Sequence, residues 1–582
     1  MKKITYQIAS LIMTLVMILG NTIHTKAAGS VYYVAPFGSD ANAGTASAPF
    51  QTFAKATSVL TAGSTLNIYT GVYTEQLKIT QSGTSSADIT IQPFGGPVII
   101  NMLGVPSAGL DVRASYVTVS GLEVLNSGDI CVNLLGSNIT VNGLAVHDCS
   151  NHGIQANNSS NIRILNSHVH RTVLSNAARI LTGGWGSAIK IRISDNVLIQ
   201  GNNIGYNYGE GIGTRGTNIT IRGNTVHDNY SVNIYTNSEN VLIEKNFVYC
   251  QPYTGYERNG LPASGISMGE EYFEGWGARL KNAKVLNNII AFCRHGVRYN
   301  GSEDFMVGGL KNAVIAYNTM YGSTNSALSI AYGNEQAGNL IANNIIWQAQ
   351  NNLAAVDSLV GLTFQNNLWR AAPPAGLGSP GDRFGEPLFL TAPGYTAESY
   401  LPSSGSPAAG AASNIDVADD FFAKKRGPSF DIGAIQFAST VPAPVEQPTA
   451  TSTPYQPGSP PETIYDNKES GFVYSAGWVE ESKGAANGGS FARTSSSGAS
   501  VTFPFTGQSF SVIYKGGPSY RNMDVYVDGA LVGTIAQRHD KSTYKARWDY
   551  PGQLPLGPHT LQLVFVSPDP RTNGSVDAVI VR

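Results

Sequence analysis

Asparagine returns on a regular beat along this chain. At Asn202, Asn224, Asn246, Asn288, Asn318, Asn344 and Asn367 it stands two residues before an apolar strand residue. The first two steps are 22 residues each, and Leu122 to Leu144, placed alike relative to Val124 and Val146, gives 22 again. A fixed period in this range, with Gly-rich turns and short Val/Ile runs, marks one supersecondary unit stacked on copies of itself. Segments such as 218–222 (NITIR) and 240–244 (NVLIE) alternate, put β-branched residues on one face and are bounded by Gly and Asn, which makes them strands. A coil of three short strands cannot bury its own inner face, so like stacks on like along an axis. The expected fold is all-β, a parallel β-helix. The asparagines fit it as a ladder, each amide bonding backbone at the same bend, a structural role.

The chain has 582 residues, a formal net charge of −2 and only 13% charged residues. Such a balance supplies no basic field for nucleic acid. Lys2-Lys3, an apolar run from Ile4 to Gly20 and small residues ending near Ala27-Ala28 read as a signal peptide, too short and wrongly flanked for a membrane span. A secreted protein with no membrane insertion is expected, acting as a monomer. Four cysteines remain: Cys131, Cys149, Cys250 and Cys293. Cys250 and Cys293 follow equivalent strands in adjacent coils, so a bridge between them stands beside the reading that all four are small buried hydrophobes. No CxxC or His-x-His spacing suggests zinc.

From Val31 the sequence runs VYYVAPFGSDANAGTASAPFQTFAKA, then LNIY at 66–69 and GVYTEQL. This opening resembles that of secreted bacterial right-handed parallel β-helix proteins, including family-nine polysaccharide lyases and other pectate-lyase-like enzymes, in which a strand, a loop and a short helix cap the solenoid. Phe50, Phe53 and Val59 are placed to close the apolar end of the first coil. GEPLFL at 385–390, SGSPAAGA at 404–411 and DIGAIQF at 431–437 resemble the closing segment of the same proteins. The expected organisation is a signal peptide (1–28), a capped β-helix domain (29–437), a Pro/Thr/Ser-rich linker (438–462) and a module of short alternating strands (463–582). That module reads as an antiparallel β-sandwich and resembles jelly-roll modules appended to carbohydrate-active enzymes. Trp478, Tyr520 and Trp548 would serve either a sugar surface or its core.

Departures from the 22-residue rung locate the candidate site. Val169 to Ile189 and Val248 to Ile266 are lengthened on one side of a strand column; Met268 to Val285 and Tyr299 to Val314 are lengthened on the other. Insertions in a repeat protein map to its binding face. Taking Ile154, Ile189, Ile212, Ile234, Ile266 and Val297 as stacked inward positions, alternation turns Lys190, Arg192, Arg215, Tyr235, Asn237 and Arg298 outward onto one floor. His152, Glu210 and His295 stand at the turn before this column. Trp185, Glu270, Glu271, Tyr272 and Trp276 fall in the lengthened walls. Aromatic rings beside a polar floor suit a sugar chain.

Two chemistries fit these residue types. In β-elimination on a uronate glycan, Lys190 or Arg215 would take the C5 proton, Arg192 and Arg298 would clamp the carboxylate, and Tyr235 would serve the leaving oxygen. The alternative is a glycoside hydrolase pairing Glu210 with Glu270 or Glu271 across the scissile bond. A third class is a glycan-binding surface protein without catalysis. The family resemblance implies a lysine base and a Ca²⁺ held by an aspartate cluster; here Asp129, Asp195 and Asp228 are scattered, and no metal ligand set is assigned.

Overall fold

The computed structural model describes residues 29–437 and 463–581, apart from positions 184, 253, 272–278, 303–307, 349–352, 470, 508, 551, 553, 555–556, 568 and 570. The signal-peptide and linker expectations therefore lie outside the described residues. The chain divides into two units between 448 and 449.

In the first unit, strands of successive coils pair in parallel and in register, forming three long faces. The face that concerns function runs through Leu77–Ile79, Leu110–Val112, Val132–Leu134, Ile154–Asn157, the start of Ser187–Gln200, the start of Glu210–Arg222, Val232–Thr236, Ser264–Glu270, His295–Ser302 and Ser326–Ile330. Ile154 pairs with Ile189, Ile189 with Ile212, Ile212 with Ile234, Ile234 with Ile266 and Ile266 with Val297. All six side chains are fully buried in one apolar core that runs from Val34 to Leu377. The expected register is thus the observed one, and with it the direction of every neighbouring side chain.

The asparagine ladder is continuous. Asn246 Nδ2 donates to the Ile221 carbonyl at 2.9 Å and to Asn288 Oδ1 at 2.9 Å, while Asn246 Oδ1 accepts from the Asn224 backbone N–H at 3.0 Å. The same pattern runs from Asn202 to Asn367, and all seven are buried. A second asparagine ladder was not anticipated. Asn138, Asn161, Asn218, Asn240, Asn282 and Asn312 adopt left-handed backbone with φ of 50–56°, a conformation asparagine tolerates better than most residues. Several bond their neighbours, as Asn282 Nδ2 does to Asn240 Oδ1 at 2.8 Å.

At the N-terminal end the helix Phe53–Ser58, capped by Thr52, lays Phe53 against Tyr73 with ring centroids 4.6 Å apart. Phe50 is buried and Val59 packs on the same core, closing the first coil. The segment after 384 lies along the outside of another face: Tyr400, Ala434 and Ile435 pack on Phe247, Ile289 and Ala291. Arg426 locks it, its guanidinium 3.9 Å from the Tyr317 ring centroid and donating to Asn287 Oδ1 at 2.7 Å. The cysteines are not free thiols packed as hydrophobes: Cys131 is bridged to Cys149 and Cys250 to Cys293. The first pairing was missed because its two cysteines do not occupy equivalent positions of adjacent coils.

The second unit is antiparallel. A five-stranded and a four-stranded sheet contribute Phe503, Val525, Leu563, Phe510, Val512 and Val579 to one core, with a three-stranded sheet beside them. Trp478 and Trp548 pack against that core and Tyr520 is buried.

Candidate active site

Strand pairing puts the outward residues on one strip. Gln155 pairs with Lys190, Lys190 with Gly213, Gly213 with Tyr235, Tyr235 with Ser267 and Ser267 with Arg298, while Asn157, Arg192 and Arg215 form a parallel row. With rungs about 4.8 Å apart, Tyr235 lies about 10 Å from Lys190 along the floor and Arg298 about 19 Å. Arg298 is therefore too far to hold a carboxylate on the sugar that reaches Lys190, and its expected role as a clamp there does not fit.

The densest part of the strip surrounds Lys190. Its Nζ lies 3.8 Å from Glu210 Oε2, and both side chains are more than nine-tenths buried. Burial drives the Glu210 carboxyl up and the Lys190 ammonium down, each opposed by the charge of the other. Ser187 Oγ donates to Glu210 Oε2 at 2.8 Å. The Ser187 backbone N–H in turn donates to His152 Nδ1 at 3.0 Å. Burial, reinforced by the Lys190 charge, holds the His152 imidazole neutral, its pKa pushed down to about 3. Sequence reasoning missed Ser187, because it closes a lengthened turn where the rung period gives no guide. Glycine at 213 lets this group close up against the floor: a Cβ there would overlap Glu210 Oε2 and Ser187 Oγ and stand 3.3 Å from Lys190 Nζ.

The two wall glutamates part company. Glu271 is 41% exposed and pairs through Oε2 with Arg215 at 2.9 Å, so Arg215 is engaged as an ion-pair partner rather than poised as a base. Asn237 Nδ2 donates to the Glu271 carbonyl at 3.0 Å, fixing that stretch over the floor. Glu270, expected in the wall, is turned inward and only 1% exposed; its Oε2 accepts from Tyr299 at 2.7 Å and from the Gly309 N–H at 2.8 Å. Alternation from Ile266 through Met268 already turns it inward, and the register shift beyond Met268 falls on the partner strand, where Tyr299 and Ser302 are three residues apart. Tyr235 is buried, and its phenol is held protonated by burial first and then by the Glu271 and Glu210 carboxylates.

One wall is built from the two lengthened turns on the same side. Arg179 donates to the Gly255 carbonyl at 2.6 Å, Arg258 donates to the Thr182 carbonyl at 3.1 Å, and the Arg258 guanidinium sits 4.8 Å from the Trp185 ring. Trp185 is thus braced beside the floor. Tyr272 and Trp276 lie outside the described residues. His295 occupies the same column as Glu210 but three rungs away, bonded through Nδ1 to Ser326 Oγ at 2.8 Å. Burial and the nearby Arg298 and Arg294 push it down to about 4.

The residues present do not fit a Ca²⁺ cluster. Asp129 accepts from Asn151, Asp195 from Asn218, and Asp228 from His227 and the Gln251 N–H. Among the described residues no three His, Cys, Asp or Glu side chains converge as a metal would need. None of the described helices is long and apolar enough to cross a membrane.

Comparison with known proteins bears on the same solenoid. Residues 32–190 match the family model described as "Pel9A-like, right handed beta helix region", and residues 178–346 match "Right handed beta helix region". The first unit is a right-handed parallel β-helix. Pectate lyase PEL9 of Emericella nidulans is 42% identical over 86 residues, 14% of this chain and 21% of that protein. The uncharacterized protein YwoF of Bacillus subtilis is 29% identical over 147 residues, 25% of this chain and 29% of that protein. The chain thus spans less than a third of the length of either relative. The crystal structure of pectate lyase Pel9A superposes with a TM-score of 0.47 at 17% identity, over 71% of this chain and 98% of that one.

Proposed function

We propose that the protein is a secreted polysaccharide-active enzyme, a lyase that cleaves a uronate glycan by β-elimination in the cleft over Lys190. The observation that carries this reading is the Lys190–Glu210 pair, buried at 3.8 Å and packed over Gly213, where only glycine fits, on a floor flanked by Arg192 and Arg215. A proton passing from Lys190 to Glu210 changes no net charge, so burial can present a neutral amine without an added ion. Lys190 Nζ then takes the proton from C5 of the uronate. The electron pair forms the C4–C5 double bond, the C4–O4 bond breaks, and Tyr235 gives its phenolic proton to the departing oxygen. The cations beside Lys190 favour charge building on the carboxylate. Pectate lyase PEL9, which aligns with part of this chain, is by its name an enzyme of this reaction class.

One observation favours the hydrolase alternative. Glu271 lies close enough to raise the Glu210 carboxyl further, so two carboxyls of unlike surroundings, one buried and one partly exposed, share one cleft. The products separate the two readings. Incubation with acidic polysaccharides should give unsaturated, ultraviolet-absorbing uronate ends; reducing ends without that chromophore would replace elimination by hydrolysis. Retention of polymer without either product would leave only binding.

A further inference from the structure

The floor is not alike on the two sides of Lys190. On the three preceding rungs stand Gln155, Asn133 and Asp111. They form a one-way chain: Gln155 Nε2 donates to Asn133 Oδ1 at 3.3 Å, Asn133 Nδ2 to Asp111 Oδ1 at 3.1 Å, and Asp111 Oδ2 accepts from Arg113 at 2.8 Å. The donors point away from Lys190, and the oxygen remaining at its end, Gln155 Oε1, is buried without a partner. Asp111 neutralises Arg113; only beyond it does another cation, the exposed Lys78, follow.

On the following rungs stand Tyr235, Ser267 and Arg298. The Tyr235 and Ser267 hydroxyls are buried; Ser267 Oγ has no hydrogen-bond partner among the described residues, and the Tyr235 phenol faces the Glu271 carboxylate. Arg298 has no acidic partner among the described residues and feels the positive charge of Arg294 beside it. A carboxylate on this arm meets hydroxyl donors and guanidinium groups. On the other arm it meets an amide oxygen and a buried carboxylate whose neighbouring cation, Arg113, is already paired with it.

We infer that the N-terminal arm of the cleft takes an uncharged, hydroxyl- or N-acetyl-bearing sugar and the C-terminal arm takes uronate, so that the substrate is a mixed glycan in which uronates adjoin neutral sugars rather than a homopolyuronate. This rests on the reading of the cleft as a uronate-glycan site. Rejection comes from the repulsive element on the N-terminal arm as much as from attraction on the other.

The test measures retention of the full chain by affinity electrophoresis, and initial rates, on polygalacturonate, on an alternating galacturonate–rhamnose backbone and on hyaluronan. At least one alternating polymer should be retained about tenfold more strongly than polygalacturonate. Gln155→Lys, which adds a cation to the N-terminal arm, should narrow that ratio, and Arg298→Gln should weaken retention of the alternating polymer. Retention of polygalacturonate equal to or stronger than both alternating polymers overturns the inference, whether or not anything is cut and without reliance on a variant. Preference for an alternating polymer accompanied by reducing ends alone supports the polarity of the cleft while removing elimination as its chemistry.

Discussion

The asparagine corner and the cleft floor are both buried polar strips running along the same solenoid, yet they are organised oppositely. From Asn202 to Asn367 the amides are linked to backbone and to one another in an unbroken pattern. Along the floor the period is interrupted, a lysine and a glutamate are buried side by side, and Gln155 and Ser267 keep atoms without partners among the described residues. A repeat that satisfies its own polar groups is spending them on the fold. One that leaves them unsatisfied beside lengthened turns holds them for something from outside.

Substitutions can break this contrast. The largest effect is expected for Lys190→Ala, which should lower turnover by about 10³–10⁴-fold, measured as initial rate on the cleaved polymer; circular dichroism should report an intact β-helix. Turnover within tenfold of the native protein would put the chemistry elsewhere. Asn246→Ala should do the reverse. Its amide donates twice and accepts from Asn224, so its loss should cost about 3 kcal/mol of stability in denaturant titration, with kcat unchanged.

Gly213→Ala probes the boundary between the two behaviours. The added methyl collides with Glu210 and Ser187, and a displaced Lys190–Glu210 pair should reduce kcat by about 10²-fold. Gly223→Ala, where a Cβ meets nothing but the backbone sits at φ +60°, should cost about 1 kcal/mol of stability and leave kcat as it was. The smallest effect per group is acid sensitivity. Burial holds the imidazoles of His152 and His295 neutral, with values near 3 and 4. The unfolded chain binds protons that the folded one refuses, so stability is complete above about pH 6.5 and falls as pH drops towards the folded values. Each imidazole should subtract about 1.4 kcal/mol per pH unit in that window, read from urea midpoints at pH 7 and pH 5.5.

The column through Lys190 was legible because its inward isoleucines repeat and alternation then fixes the outward side chains. What escaped lay where alternation stops. Ser187 follows a lengthened turn, and the Cys131–Cys149 bridge joins sites that the period does not equate; Glu270, by contrast, keeps the inward parity of Ile266 and was misplaced by counting it with the wall. The exposed asparagine ladder was hidden for a related reason, since its members sit in left-handed bends that no hydrophobic pattern announces. Rung counting also revealed that Arg298 is too far from Lys190 to share one sugar with it, which a list of cations on a single face could not convey.

Because every buried asparagine in the corner both gives to one neighbour and takes from another, the solenoid can gain or lose length only in whole turns. Deleting half a turn would leave a donor facing a gap. Deleting a complete one rejoins two matching ends. Variation in this molecule is thereby channelled away from its corner and into the loops over the cleft, where extra residues leave the stack undisturbed.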